Sequence, residues 1–151
     1  MFAPTPLSVA CSRHDDIRHF AGQLALPAGQ TLALHTRLGT LCYLASGEGY
    51  PRLLMQAQFT STEMSILMSL LESYPTYCPY EAMYSYFYRH SMAEKVVASA
   101  RKHLQEAHDA GTWEDEMRPV RQALSRARSK LRAFGIDIAP ILTTGYLLFF
   151  L

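Results

Sequence analysis

The segment Met117-Arg-Pro-Val-Arg-Gln-Ala-Leu-Ser-Arg-Ala-Arg-Ser-Lys-Leu-Arg-Ala-Phe134 decides the fold. At 100° per residue, Met117, Val120, Leu124, Ala127 and Leu131 fall within one sector of about 80°, which predicts a helix from about Glu114 to Ala133 with a core-facing stripe. Away from that stripe project Arg118, Arg121, Gln122, Ser125, Arg126, Arg128, Ser129, Lys130 and Arg132. The segment holds six basic side chains and no acid. Solvated helices usually alternate charge sign, because opposite charges four residues apart attract. Six like charges repel one another unless an anionic partner is expected.

Downstream, Gly135 stops the helix and Ile136-Asp-Ile-Ala-Pro140 reads as a strand. Leu142-Thr-Thr-Gly145 then makes a turn, and Tyr146-Leu-Leu-Phe-Phe150 returns to complete a terminal hairpin. Upstream, Thr60-x-x-Glu63 has the spacing of a capping box, with Phe59 and Met64 placed for a hydrophobic staple. A helix is expected from Ser61, with Met64, Leu67, Met68, Leu70 and Leu71 on its buried face and Tyr74-Pro75 at its end. Pro79 suits the first position of a second helix reaching about Tyr88. Residues 92–110 form a third, with Val96, Val97, Ala100, Leu104 and Ala107 on one face and Gly111 as its stop. Thr112-Trp-Glu-Asp-Glu116 then opens the basic helix, its acids opposing the positive end of the helix dipole.

Between Thr31 and Gln58, the apolar runs Leu32-Ala-Leu34, Leu41-Cys-Tyr-Leu44 and Leu53-Leu-Met55 are separated by Gly39, Gly47, Gly49 and Pro51. Short runs bounded by turn residues predict a small antiparallel sheet. Residues 1–30 read as an N-terminal arm with one short helix near Arg13 to Leu24, carrying Ile17, Phe20 and Leu24 at helical spacing. The expected architecture is α+β and mainly α, with one domain over residues 31–151.

Bulk properties narrow the function classes. A net charge of +1 argues against indiscriminate coating of nucleic acid, which needs concentrated lysine and arginine. Cys11, Cys42 and Cys78 form no C-x-x-C pair, so neither a zinc site nor a disulfide framework is expected, and reduced thiols fit a cytoplasmic location. The start lacks a secretory signal, and the apolar run 145–151 is far shorter than the roughly twenty residues of a membrane span. The histidines His14, His19, His35, His90, His103 and His108 do not complete a metal set, and His14-Asp-Asp16 stands without a nucleophile motif. No enzyme activity, cofactor or metal is expected. The tyrosines Tyr74, Tyr77, Tyr80, Tyr84, Tyr86 and Tyr88 suit core and rim positions better than stacking on unpaired bases.

A basic helix leading into a hairpin is a helix with a wing, and here the chain resembles the OmpR/PhoB-type winged helix-turn-helix. The resemblance rests on Leu124-Ser-Arg-Ala-Arg-Ser-Lys-Leu131, Gly135-Ile-Asp-Ile138, Gly145-Tyr146 and Phe59-Thr-Ser-Thr-Glu63, and covers about Leu32 to Leu151. It implies a stand-alone transcriptional regulator that binds double-stranded DNA with the basic helix in the major groove. By that resemblance Arg118, Arg121, Ser125, Arg126 and Arg128 face DNA, with Thr143 and Thr144 at the wing tip. The projecting face adds Gln122, Lys130 and Arg132. Residues 92–110 are then an inserted helix, in which Lys95, Arg101, Lys102 and His103 offer an alternative DNA-facing set. Thirty residues before the sheet are too few for a phospho-acceptor domain, so regulation is expected from abundance, partners or oligomerisation. The wing carries Leu142 and Leu147 where the family often has arginine. Those residues favour the alternative of a winged-helix protein-interaction module, with a partner on the wing or the arm, and a homodimer suits either use.

Overall fold

The computed structural model describes residues 17–20, 26, 28–47 and 50–151. The chain is α+β and divides into two compact units, split between Phe59 and Thr60. Much of the N-terminal arm, including Cys11, His14 and the ends of the expected short helix, lies outside the described residues.

The first unit is a four-stranded antiparallel sheet of β1 (Ile17–Phe20), β2 (Gln30–His35), β3 (Thr40–Gly47) and β4 (Tyr50–Gln58), in that order. Three of these are the strands read from the apolar runs. The fourth is a correction, because Ile17–Phe20 is a strand and not part of a helix. It pairs with β2 from Ile17 opposite His35 to Phe20 opposite Leu32. Ile17 and Phe20 fit a helical period, but β2 offers a row of backbone partners, and a short segment gains more from that ladder than from one isolated turn. Gly39 (φ 75°) turns β2 into β3, donating its N–H to the His35 carbonyl at 2.8 Å.

The second unit begins with α1 (Ser61–Ser73), whose start is the expected capping box. Thr60 Oγ1 accepts the Glu63 N–H at 3.3 Å, and Glu63 Oε1 accepts the Thr60 N–H at 3.0 Å. All residues from Glu63 to Leu70 are buried, serines included. Ser65 and Ser69 satisfy their hydroxyls on the Ser61 and Ile66 carbonyls, so polar side chains enter the interior without an orphaned donor. The two-residue strand β5 (Cys78–Pro79) leads into α2 (Tyr80–Arg89). Next come α3 (Glu94–Ala110) and α4 (Trp113–Arg132), joined at Gly111 (φ 77°), whose N–H bonds the Ala107 and His108 carbonyls. The helix α4 runs unbroken through Pro119, which removes one internal hydrogen bond on the exposed side.

Strands β6 (Ile136–Ile141) and β7 (Gly145–Phe150) form the expected hairpin, and β5 adds to β7 to give a sheet of order β5-β7-β6. The core of this unit gathers Met83, Met117, Val120, Ala127, Leu131, Ile136, Ile138 and Leu148. One stripe position is corrected. Ala123 is fully buried and Leu124 only half-buried, so the buried face of α4 is rotated toward Ala123. An alanine lets the neighbouring elements approach closely, and Leu124 lies along the flank. Tyr80 clamps the arrangement, packing edge-on against Trp113 and Tyr146 with ring centroids 5.4 Å away in both cases.

Gly145 explains why a glycine precedes Tyr146. A Cβ built there would lie 2.0 Å from the Cys78 carbonyl oxygen and 2.8 Å from the Pro79 Cα, both backbone atoms of β5. Gly145→Ala is therefore expected to lower stability by roughly 2–4 kcal/mol in urea denaturation, since one strand must move. Leu124→Ala should lose roughly 1 kcal/mol, less than the roughly 2–5 kcal/mol expected for the buried Leu131→Ala. A neutral Gly145→Ala, or equal losses at the two leucines, would contradict this packing.

Candidate nucleic-acid interface

The helix α4 buries one side and exposes the opposite one. Along the exposed side run Arg118, Gln122, Ser125 and Ser129, with the basic residues on either flank. The expectation that six cations lie uncompensated is corrected, because every one of them has an acidic partner within this unit. Lys130 Nζ reaches Glu63 Oε1 at 2.6 Å, and Arg126 Nε reaches Oε2 of the same carboxylate at 3.5 Å. On the other flank, Arg128 Nε donates to Asp137 Oδ1 at 2.6 Å, and an Arg132 amine donates to Oδ2 at 3.1 Å. Arg118 pairs with Asp115 at 2.7 Å one turn back. Arg121 pairs with Glu114, and its guanidinium lies over the Trp113 ring, 5.1 Å from the centroid.

Four of these cations converge on two buried acids. Glu63 is 2% exposed and Asp137 5%. Burial pushes the Glu63 carboxyl up, but the Lys130 bond, the Thr60 N–H and the positive charge of Lys130 and Arg126 outweigh it, leaving the group below its ordinary value. Arg128 is the main reason that Asp137 sits far below the usual carboxylate range, with the Ile138 N–H and Arg132 adding to it against burial. Neither acid is announced by composition. Glu63 reads fully as a helix cap, and its second role depends on α4, 67 residues further along the chain. Asp137 did leave a signal. It is a single acid between two buried isoleucines directly after a basic helix, and a buried carboxylate needs a cation.

The remaining predicted residues are placed as follows. Gln122 and Ser125 are exposed at the centre of the outward strip. Thr143 (φ 55°) and Thr144 form the hairpin tip with the exposed Leu142, and both threonine hydroxyls donate to the Leu142 carbonyl, at 2.7 and 3.0 Å. No charged side chain stands at the tip itself. Thr143 borders a cavity of about 210 Å³ with Tyr80, Arg101, His108 and Trp113, which brings the tip beside α3 and the first turn of α4. In α3, Lys95 and Lys102 are exposed, whereas Arg101 pairs with Glu81 at 3.0 Å. His103 meets Glu116 at 2.7 Å, and the Tyr84 hydroxyl donates to the same carboxylate at 2.8 Å. These contacts with His103 and then Tyr84 hold the Glu116 carboxyl below its ordinary pKa, while burial and that carboxylate push the Tyr84 hydroxyl above its own. Helix α3 thus braces the start of α4.

Comparison of the chain with family models, curated proteins and solved structures returned no match.

Both buried carboxyls titrate below their ordinary values of 4.5 and 3.8, so their contribution to stability is complete above about pH 4.5. It is lost as the pH falls through the lowered folded values. Glu63→Gln is expected to reduce stability at neutral pH by roughly 1–3 kcal/mol, a figure discounted for the partly exposed Lys130 and Arg126, and to flatten the decline below pH 4.5. Urea midpoints across pH test both effects. An acid limb as steep as that of the wild type would show that Glu63 does not contribute to it.

Proposed function

We propose that residues 60–151 form a winged helix-turn-helix of the OmpR/PhoB type, and that the chain regulates transcription by binding duplex DNA with α4 in the major groove. The order α1, β5, α2, α4, β6, β7 suits that assignment, with α3 inserted before the recognition helix and the β6–β7 hairpin as wing. One observation carries the functional reading. The outward strip of α4 has neutral polar groups, Gln122, Ser125 and Ser129, with Arg118 along its middle, and the other basic residues on its margins. A major groove asks for that pattern, since amides and hydroxyls read base edges while guanidinium groups on the margins hold phosphates.

Internal pairing of the arginines fits this use. An arginine has five N–H donors, and the pairs described for Arg128 and Arg132 engage only part of each set. A side chain already oriented by a buried acid loses less freedom when it meets a phosphate. The same pairing also reduces the excess positive charge that α4 would otherwise present. Together with the exposed Leu142 at an uncharged tip, that favours the second reading, a winged helix whose partner is a protein.

Selection from random duplexes followed by a salt titration separates the two. DNA recognition should enrich a sequence, and log Kobs should fall with log salt by about 0.9 for each phosphate contacted. Neither enrichment nor salt dependence would leave only the protein-binding reading. Gln122→Ala and Ser125→Ala should each change base preference about tenfold at one position with melting unchanged. Arg128→Ala should weaken both binding and folding, because it deprives the buried Asp137 of its main partner.

A further inference from the structure

Residues 60–151 hold ten lysines and arginines, and seven of them are tied to acids. The other three, Arg89, Lys95 and Lys102, have no acidic partner among the described residues. They stand around one groove between α2 and α3. Tyr84, Tyr88, Arg89, Val96, Ser99 and His103 help to line it, and it encloses about 260 Å³. At 100° per residue, Lys95 and Lys102 lie within about 60° of Ser99 round α3, on the flank away from Ala100. The nearest acid on that flank, Glu106, is about 10 Å along the axis from Ser99.

The rings of the groove are held from behind. The Tyr84 hydroxyl and His103 Nε2 both bond Glu116 Oε1, at 2.8 and 2.7 Å. The Tyr84 ring centroid lies 4.7 Å from that of Tyr88 and 5.8 Å from that of His103, and Phe87 packs edge-on against Tyr88 at 4.9 Å. Tyr88 is nevertheless 47% exposed. Its hydroxyl and that of Ser99 have no hydrogen-bond partner among the described residues. A planar ring stacks on such a surface. A cationic ring would be repelled by Arg89, and the carboxylate oxygen behind the rings already accepts two bonds. An anionic group on the ring would instead meet a guanidinium, a serine hydroxyl and two ammonium groups.

We propose that the α2–α3 groove binds a nucleotide, with its base against Tyr84 and Tyr88 and its phosphate among Arg89, Ser99, Lys95 and Lys102. Three unpaired cations suit a phosphate, with about two charges and three acceptor oxygens, better than a single carboxylate. The cavity is smaller than the roughly 300–1,000 Å³ of sites for drug-sized ligands, so it takes one base and leaves the phosphate on the rim. A free nucleotide and an unpaired nucleotide of a strand offer the same chemistry. The inference uses no residue of the outward strip of α4 and holds whether or not α4 binds duplex DNA.

Calorimetric titration of the full chain with adenosine monophosphate, adenosine and inorganic phosphate tests it, with a short single-stranded oligodeoxyadenylate as a further probe. The monophosphate should bind with a dissociation constant below about 1 mM, at least roughly tenfold more tightly than adenosine or phosphate. Tyr88→Ala should weaken it roughly tenfold by removing a stacking face. Arg89→Gln should remove most of the preference over adenosine, and Lys95→Gln with Lys102→Gln should flatten the salt dependence. Tyr88 and Arg89 are exposed, so circular dichroism should not change. Arg118→Gln, on the outward strip of α4, should leave the affinity for the monophosphate as it is. An oligonucleotide bound no more tightly than the monophosphate identifies a free nucleotide as the ligand. One bound more tightly, and weakened by Tyr88→Ala, identifies a strand. Binding of neither probe, adenosine bound as tightly as its monophosphate, or affinity indifferent to both Tyr88→Ala and Arg89→Gln would overturn the proposal.

Discussion

The carboxylate of Glu63 is buried and takes hydrogen bonds from two places far apart in the chain: the Thr60 backbone N–H at the head of α1 and the Lys130 ammonium near the end of α4. A single acid therefore starts one helix and fixes another. The head of a helix suits it, because unpaired N–H groups and the positive end of the dipole both stabilise an anion there. With the acid ionised and held, Lys130 and Arg126 are drawn to one flank of α4. Asp137 does the same from β6, fixing Arg128 and Arg132 on the other flank. The lateral position of α4 and the character of its exposed strip both follow from these two anions. With those four cations held at the margins, the centre is left to Arg118, Gln122, Ser125 and Ser129.

Local chemistry was legible along most of the chain. Thr60 and Glu63 marked the start of α1, Gly111 the end of α3, and Gly135 with Gly145 framed the hairpin, because caps and turns are set by residues within a few positions of one another. Three features escaped for one shared reason. The strand at Ile17–Phe20 exists through pairing with β2. The exchange of Leu124 for Ala123 in the core depends on how closely neighbouring elements pack. The ion pairs of α4 join residues up to 67 positions apart. Each is decided by tertiary neighbours, against which local periodicity is a weak prior. The candidate site was thus legible as a set of residues and not as an electrostatic surface.

The second unit is closed where backbone comes closest. Gly145 lets β7 lie against β5 with no side chain between them, and Tyr80, at the first position of α2, sets its ring against Trp113 and Tyr146. One aromatic residue thereby joins a helix start, a second helix start and a strand, while α3 reaches across through His103 to Glu116. The length of chain between α2 and α4 is accordingly not a loose excursion. It packs on both helices it separates, so its seventeen-residue helix adds buried surface and not merely loop.

Charge balance within the second unit also bears on the kinetics of encounter. Residues 60–151 contain equal numbers of acids and of lysines and arginines, and the six cations of α4 share four carboxylates a few ångströms away. Such pairs act as short dipoles whose field decays faster than that of a bare charge. At physiological ionic strength little of it extends beyond a screening length of about 8 Å. A polyanion diffusing past would not be drawn in from a distance, as it is toward strongly basic surfaces. Capture by this surface would then proceed at the unsteered rate of about 10⁵–10⁶ per molar per second, and selectivity would reside in how long a contact lasts and not in how often it is made.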